Sequence, residues 1–388
     1  MTTPRVFAYF FPNWHSDPHT ARWFGNAWTE WDLLREAAAR FPGHRQPRVP
    51  ADGERDESDP VEMARQIELA RQHGIDGFMF DYYWYEDGPF LESALHDGFM
   101  KAPNRDQLGF ALMWANHELH NLFPASRADR SGPLVHGANT RKSFDDMTDH
   151  VINEYFSQPN YLRIAGKPWF SIYELGSLIA GLGGIEATRD ALEDFQRKAR
   201  EAGHPGVHID AVMWGLDMLP GSVGLRNAAE AVQSLDLDSG SSYVWIHHIS
   251  PEKHHFPVGD WDMVAQEAFT AYEDYASTLG VPFYPNVTVG WDSSPRASSA
   301  DPFEPGPYPW LPVFDGTPAQ FKAGLERART FCERHHASES MILINAWNEW
   351  TEGSALLPDR ENGTRFLEAV RDVFAHQDSP QTHTVGMR

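Results

Sequence analysis

Two glutamates three positions apart, Glu349 and Glu352, have the residue type and the spacing that acid/base chemistry requires. They lie in "MILINAWNEWTEGSALLPD" (341–359), where an apolar run ends in a cluster of asparagine, tryptophan and glutamate. On a helical turn the two side chains share one face. Apolar neighbours such as Trp347 and Trp350 can keep one carboxyl group protonated while the other stays ionised. Cleavage of a glycosidic bond needs such a pair, because one group protonates the leaving oxygen and the other acts as base or nucleophile.

Short apolar runs with β-forming residues alternate with longer helical patterns along most of the chain. One helix is predicted to start at Asp59 and Pro60, a good N-cap followed by proline, and to end at Gly74. The predicted strands cover residues 5–11, 75–84, 108–114, 168–174, 207–214, 241–246, 284–291 and 341–347. The other predicted helices cover about 143–157, 185–202, 223–235, 260–279, 317–337 and 363–375.

Eight strands alternating with helices predict an α/β fold of the (β/α)8 (TIM) barrel type. A doubly wound open sheet is the alternative, but it would normally carry a glycine-rich phosphate loop after its first strand. Here that position holds "FPNWHSD". We therefore expect one catalytic barrel domain over residues 1–388, with long loop insertions at about 12–58 and 292–316. Irregular loops of that length tend to be lids or binding loops.

The carboxyl ends of barrel strands form the active site of this fold, so the residues that follow each predicted strand are the candidate substrate contacts. Most of these ends combine an aromatic ring with a carboxylate, amide or imidazole. Rings can stack on the C–H faces of sugars while the polar groups bind hydroxyls. Including two residues from "WTEW" in the first long loop, the candidates are His15, Glu30, Trp31, Asp81, Tyr82, Trp84, Trp114, Asn116, Glu118, Glu174, His247, Trp291, Asp292, Asn348 and Trp350.

Composition excludes several classes of function. The formal net charge of -23, from 32 basic and 55 acidic residues, would repel nucleic acid and anionic lipid. A single cysteine, Cys332, excludes an internal disulfide framework and suits a reducing compartment. The opening segment is too short for a signal sequence, and no run is long enough to span a membrane. We expect a cytoplasmic protein; its oligomeric state stays open.

Paired histidines invite a metal site but are a weak signal for one. Neighbouring residues on a strand point to opposite faces, so the pairs at 247–248, 254–255 and 335–336 are poorly placed to supply two ligands to one metal. No cysteine cluster accompanies them. We predict neither a metal nor another cofactor.

Taken in order, several motifs resemble those of WbsX-like proteins, relatives of the family 99 glycoside hydrolases (endo-α-mannosidases and endo-α-mannanases). They span nearly the whole chain: "AYFFPNWH" (8–15), "WTEW" (28–31), "FPGHRQP" (41–47), "GIDGFMFDYYWY" (74–85), "WANHE" (114–118), "GKPWFSIYE" (166–174), "GWDSSPR" (290–296) and "NAWNEWTEG" (345–353).

The resemblance implies a (β/α)8 barrel that acts on α-linked glycans such as mannans. The catalytic Glu-Trp-x-Glu motif of those hydrolases falls on Glu349 and Glu352. By that analogy Glu349 would deprotonate the sugar 2-hydroxyl in a neighbouring-group route through an anhydrosugar, and Glu352 would be the general acid/base. "WANHE" departs from the Trp-Ala-Asn-Glu-Asn common in the WbsX group, which shifts its glutamate to Glu118 and leaves the role of that residue open.

Other functions remain open at this point. WbsX-like proteins are often described as glycosyltransferases, and "DLD" (236–238) formally fits a metal-binding Asp-x-Asp, although its place at a helix end is typical of a surface turn. A barrel that binds carbohydrate without cleaving it is a third possibility. For the tryptophans and glutamates themselves, packing against the barrel core and capping of an ordinary turn are the non-catalytic alternatives.

Overall fold

Parallel strands arranged around a barrel axis form the centre of the structure. The computed structural model describes residues 3–214, 228–336 and 338–374. In hydrogen-bonding order, each strand pairs with the next along the chain, and the last pairs with the first. The strands are β1 (Arg5–Phe10), β2 (Gly77–Tyr85), β3 (Gly109–Trp114), β4 (Lys167–Ile172), β5 (His208–Val212), β6 (Ser239–Ser241), β7 (Phe283–Tyr284 and Asn286–Thr288) and β8 (Met341–Asn345).

β7 completes the ring in two pieces. Its first piece pairs with β6 and its second with β8, on either side of Pro285, which has no backbone N–H to donate. The predicted (β/α)8 barrel is thus confirmed. The helices are α1 (Pro18–Phe24), α2 (Trp31–Glu36), α3 (Pro60–Gln72), α4 (Arg141–Val151), α5 (Leu175–Leu182), α6 (Ile185–Glu201), α7 (Ala228–Leu235), α8 (Trp261–Thr278), α9 (Pro318–His335) and α10 (Arg365–Phe374).

Helix starts follow the local chemistry of the sequence. Asp59 caps α3 by accepting a hydrogen bond from the Val61 N–H at 2.8 Å, with Pro60 at the first helical position. Thr317 and Gln320 form a capping box at the start of α9. Residues 223–227 of the helix predicted at 223–235 lie outside the described residues, as do residues 337 and 375 at the ends of two others.

The sixth strand differs from its prediction. It comprises Ser239–Ser241, whereas the aromatic run predicted at 241–246 continues into a 3-10 helix at Trp245–His248. A Cβ on Gly240 would lie 2.9 Å from Met213 Cγ, so the barrel wall needs a residue without a side chain here. A strand of serine and glycine has no apolar signature, which is why the sequence pattern placed the strand too late.

A buried carboxylate lies inside the barrel, outside the reach of solvent. Asp210 accepts hydrogen bonds from the hydroxyls of Ser171 and Ser241 at 2.6 Å and from Ser239 at 2.7 Å. Burial raises the pKa of Asp210 to about 6, although the three serine hydroxyls lower it in part. The ionised form is thus less favourable in the folded protein than in the unfolded chain.

This raised pKa predicts a pH-dependent stability difference for Asp210→Asn. A carboxyl group whose pKa is higher in the folded state costs stability as the pH rises from its unfolded pKa through its folded pKa. Relative to wild type, the variant should therefore gain about 2 kcal/mol of unfolding free energy between pH 4.5 and pH 7. Urea denaturation of both proteins at the two pH values measures this. A difference that does not change with pH would contradict the prediction.

The two long loops lie together at the carboxyl end of the barrel. The first carries α1 and α2, and the second contains a 3-10 turn at Ser294–Arg296. Asp292 joins them, because its carboxylate bonds to His44 Nε2 at 2.8 Å and accepts from Gln46 Nε2 at 2.7 Å. Arg40 adds bonds to backbone carbonyls of Ser298 and Asp301. Within the described ranges, no helix is both long and apolar enough to cross a membrane.

Candidate active site

A cavity of about 860 Å³ opens at the carboxyl ends of the strands, beneath the two long loops. This volume is in the range of pockets that hold small molecules or a few sugar rings. Its wall includes residues near or just after the carboxyl ends of most barrel strands, among them Asp81 and Tyr83 of β2, Tyr173 after β4, and Glu349 and Glu352 after β8. This is the end at which barrel enzymes assemble their active sites.

The turn after β8 directs both glutamates at this cavity. Asn348–Glu349 pairs with Ser354–Ala355 as a short hairpin, and the 3-10 turn Trp350–Glu352 lies between the two. Gly353 closes the turn with a φ of +70°, where a Cβ would lie 2.7 Å from the Cβ of Asp292. Glycine is required here by both its backbone conformation and the close approach. The sequence-predicted pair thus shares one short turn at the cavity wall.

Asn348 anchors this turn to the neighbouring strand. Its Oδ1 accepts from the Phe11 N–H and its Nδ2 donates to the Phe11 carbonyl, both at 2.7 Å. Nδ2 also donates to the carboxylate of Glu57 at 2.9 and 3.0 Å. Burial raises the pKa of Glu57 well above its ordinary value. An asparagine can satisfy donors and acceptors at once, so this residue orients the glutamates without lining the cavity itself.

Arg296 lies between the two glutamates. Its Nη1 donates to Glu352 Oε1 at 2.6 Å, and its Nη2 donates to Glu349 Oε1 at 2.8 Å. On its other side Nε and Nη2 donate to Glu30 Oε1 at 2.9 and 2.6 Å. The Tyr308 hydroxyl donates to the same Glu352 oxygen at 2.6 Å. One guanidinium thus contacts three carboxyl groups, all of them buried.

This arrangement favours retention of a proton by the glutamate pair. Burial raises the pKa of Glu349 well above its ordinary value; the Arg296 charge lowers it, and the charge of Glu352 raises it again. Burial also raises the pKa of Glu352, again opposed by Arg296. Two carboxyl groups that share one cation, and whose pKa values rise, stay protonated to higher pH than free glutamate. A glutamate that keeps its proton above its ordinary titration range can act as a general acid.

A third carboxyl group, Asp81, faces the same cavity. The Tyr243 hydroxyl donates to its Oδ2 at 2.9 Å, while its buried Oδ1 has no hydrogen-bond partner. Burial raises the pKa of Asp81 well above its ordinary value. Such an unpartnered oxygen in a cavity wall is suited to a ligand hydroxyl, since binding would remove the cost of leaving it unsatisfied.

Aromatic rings and a neutral histidine form the wall opposite β8. Trp214 stacks on His247 with ring centroids 4.3 Å apart and an interplanar angle of 15°, and Tyr173 lies 5.0 Å from Trp214. Burial lowers the pKa of His247 well below its ordinary value, so the ring is neutral at pH 7. Its Nδ1 is buried without a partner. Flat rings and unpaired polar atoms together have the chemistry to contact a sugar.

Only part of the predicted substrate-contact set lines this cavity. Those that do are Asp81, Glu118, Glu174, His247 and Trp291, besides the predicted catalytic Glu349 and Glu352. Glu118 lies at the rim, where its carboxylate is within 3.3 Å of His120 and 3.4 Å of His136. The predicted residues that do not line it are His15, Glu30, Trp31, Tyr82, Trp84, Trp114, Asn116, Asp292, Asn348 and Trp350.

Strand alternation explains three of these differences. Side chains of Asp81 and Tyr83 point into the barrel, so Tyr82 and Trp84 point outward. Trp84 lies 5.3 Å from His150 just beyond it, and Tyr82 lies 6.2 Å from Tyr155. Trp114 is likewise outward and packs against Phe144 of α4 at 5.9 Å.

The remaining residues are buried behind the cavity wall and support it. Trp31 packs on Trp14 at 4.2 Å, and His15 is buried with both ring nitrogens unpaired, so burial lowers its pKa. Asn116 exchanges two 2.8 Å hydrogen bonds with the backbone of Glu174. Glu30 and Asp292 position Arg296 and the loops, and Trp350 is buried in the β8 turn.

Several residues of the cavity wall were absent from the predicted set. Arg296 and Tyr308 come from the second long loop, and Tyr243 from the segment after β6. "GWDSSPR", which ends in Arg296, was a recognisable motif, but nothing local indicates that the arginine reaches both glutamates. Among the residues described, no group of three or more His, Cys, Asp or Glu side chains is arranged to hold a metal ion.

Residues 6–370 match the profile of a protein family described as "Glycosyltransferase WbsX". Two curated relatives, each called "Uncharacterized protein WxcX" and from strains of Xanthomonas campestris pv. campestris, are 29% identical over 376 residues. The match covers 95% of this chain and 49% of each relative, so the chain spans about half the length of the curated relatives it matches.

Solved structures of similar fold include two glycoside hydrolases. The GH99 endo-alpha-mannosidase from Bacteroides thetaiotaomicron has a TM-score of 0.59 and 12% identity, with 95% of each chain covered. GH5_18 from Streptomyces cattleya has a TM-score of 0.51 and 11% identity, covering 96% of this chain and 80% of that one. At such identities the likeness shows the fold, which is the barrel described above.

Proposed function

The chain belongs to the WbsX glycosyltransferase family, and we propose that, in contrast to this family description, it is a glycoside hydrolase that cleaves α-linked glycans. One observation carries the proposal: two buried carboxyl groups of raised pKa, Glu349 and Glu352, face one cavity that is walled by aromatic rings. Glycosidic cleavage requires this combination of an acid, a base and ring-stacking surfaces.

In this proposal Glu352 protonates the glycosidic oxygen as the leaving sugar departs. It is more exposed than Glu349, at 8% against 1%, and Tyr308 and Arg296 hold its Oε1. Glu349 acts as the base. By resemblance to the family 99 hydrolases it removes the proton of the sugar 2-hydroxyl while O2 bonds to C1. Water then attacks C1 and breaks the C1–O2 bond, as Glu352 takes a proton from that water and Glu349 returns its proton to O2. Asp81 and His247, each with an unpartnered atom, bind sugar hydroxyls.

Transfer of a sugar from a nucleotide-sugar donor is the second candidate, since the family is described as a glycosyltransferase family. The charges of the cavity oppose this chemistry. Among the described residues that line the cavity, Arg296 is the one lysine or arginine, and three carboxyl groups already occupy it. A diphosphate would meet Glu118, Glu174 and the catalytic pair without a free cation. Hydrolysis therefore fits the site better.

A mass-spectrometric screen distinguishes hydrolysis from transfer. Wild type, Glu349→Gln and the control Glu326→Gln, which changes an exposed residue of α9, are incubated with α-linked oligosaccharides without any nucleotide sugar. We expect fragments from wild type and from the control, with one ¹⁸O per cleavage in labelled water, and a loss of about 100-fold or more in Glu349→Gln. No fragments from wild type, with elongation once a nucleotide sugar is added, would replace hydrolysis by transfer.

A further inference from the structure

Part of the cavity wall is apolar, and its side chains have no role in the proposed cleavage. Six apolar side chains from three loops line the side of the cavity that lies above β1, β2 and β3. We call them the apolar arm; its members are Trp23, Phe24, Phe90, Leu119, Leu122 and Phe123. Except for the single indole N–H of Trp23, these side chains carry no hydrogen-bonding atom.

The arm is a packed surface. Ring centroids of Phe24 and Phe123 lie 5.3 Å apart, and those of Trp23 and Phe90 lie 5.7 Å apart. Trp28 supports the arm from behind, at 4.7 Å from Phe24 and 5.4 Å from Phe123. Loops after three different strands thus converge to present carbon atoms to one space. The arm faces the cavity that holds the glutamates.

Tyr83 connects the arm to the glutamates. Its ring lies 5.7 Å from Phe90 on the arm side. Tyr83, Asp81 and Glu349 line the same cavity. Burial raises the pKa of Tyr83, and the charges of the two carboxyl groups raise it further. A ligand that reaches Glu349 can therefore extend past Tyr83 into the arm.

Sugar hydroxyls would be poorly accommodated in the arm. A hydroxyl placed against Leu119, Leu122 or Phe123 loses its hydrogen bonds to water and gains none, which costs about 1 kcal/mol or more for each group. Aromatic faces tolerate pyranose C–H groups, but aliphatic leucine side chains offer no comparable stacking surface. An alkyl or acyl group, in contrast, gains by leaving water.

We infer that the glycan processed by this enzyme carries an alkyl or acyl substituent, which the apolar arm binds. The inference rests on the proposed function in that the sugar lies at Glu349 and Glu352, while the substituent extends past Tyr83. Each methylene that enters the arm should tighten binding about four-fold. Two buried methylenes therefore suffice for a gain of more than ten-fold.

Isothermal titration of methyl and hexyl α-D-mannopyranoside tests the inference, because the sugar ring is the same in both and no bond needs to break. We expect wild type to bind the hexyl compound at least ten-fold more tightly. Leu122→Trp, which fills the arm, and Phe123→Ser, which makes it polar, should each remove most of this difference. Met263→Ser is the control, since Met263 is 54% exposed on α8, away from the cavity.

Thermal unfolding of each variant shows whether it is folded. One substitution enlarges a side chain and the other shortens one, so the test does not depend on a single variant that fails to fold. Equal affinity of wild type for the two mannosides, including no measurable binding of either, overturns the inference. So does a hexyl preference that survives in both folded arm variants, since the alkyl chain would then bind elsewhere. A hexyl preference located in the arm, together with a screen that finds no cleavage, would retain the subsite and discard hydrolysis.

Discussion

Glu352→Gln is expected to lower kcat for an oligosaccharide with a poor leaving group by about 10³-fold, within the range found when a general acid is removed. Glutamine keeps the size of the side chain and can still accept from Tyr308, but it has no acidic proton to give to the glycosidic oxygen. For a 2,4-dinitrophenyl glycoside of the same sugar the loss should be far smaller, because that leaving group departs without protonation.

The pH dependence of kcat/KM tests the acid role of Glu352 independently. Burial raises the pKa of Glu352, so the protonated acid persists above the ordinary titration range of glutamate. Wild-type kcat/KM should fall as the pH rises through that raised pKa, and Glu352→Gln should lack this alkaline limb. The exposed control Glu326→Gln should keep the wild-type profile. Unchanged turnover of the poor-leaving-group substrate by Glu352→Gln would remove this residue from the acid role.

Arg296→Met is expected to cost about 3–5 kcal/mol of unfolding free energy at pH 7, because it leaves buried carboxyl groups without their cation. The arginine is only 8% exposed and bonds to Glu30, Glu349 and Glu352. The loss should shrink at lower pH, since Glu349 and Glu352 have raised pKa values and regain protons as the pH falls through them. Chemical denaturation at pH 5 and pH 7 measures both effects.

Two further variants test whether the stability loss comes from the buried ion cluster. In Arg296→Met combined with Glu30→Gln, one buried charge is removed with its partner, so much of the lost stability should return. Arg127→Met serves as control, because that guanidinium lies over Trp310, in the loop that carries Arg296, at 4.6 Å and donates to the backbone carbonyl of Glu304 instead of a carboxylate. In catalysis, loss of the Arg296 charge should move both limbs of the pH profile of kcat/KM to higher pH, since the arginine lowers the pKa of both glutamates. Stability and pH profile both unchanged would contradict this role.

The ion cluster around Arg296 gives a physical reason for the two long loops to lie together. Glu30 comes from the loop after β1 and Arg296 from the loop after β7, 266 residues apart in sequence. Neither loop alone could bury its charged side chain, because an isolated ion is costly away from water. Together with the β8 turn they form one ion cluster, which fixes the positions of Glu349 and Glu352.

Local sequence patterns determined the barrel and the glutamate pair. Apolar runs of strand length alternating with capped helices specify the (β/α)8 fold, and Glu349 and Glu352 directly follow the last run. Both are near-neighbour properties, readable from spacing and propensity. The strand Ser239–Ser241 escaped prediction because serine and glycine carry no such signal.

Tertiary structure alone decided which strand-end residues reach the cavity. Asp81 and Tyr83 face it while Tyr82 and Trp84 face the helices, because a shift of one residue reverses the side on which a strand residue lies. Contacts between distant loops brought Arg296 and Tyr308 to Glu352, and no local pattern encodes pairs so far apart. The sequence thus determined which groups can perform the chemistry, and packing determined their surroundings and their pKa values.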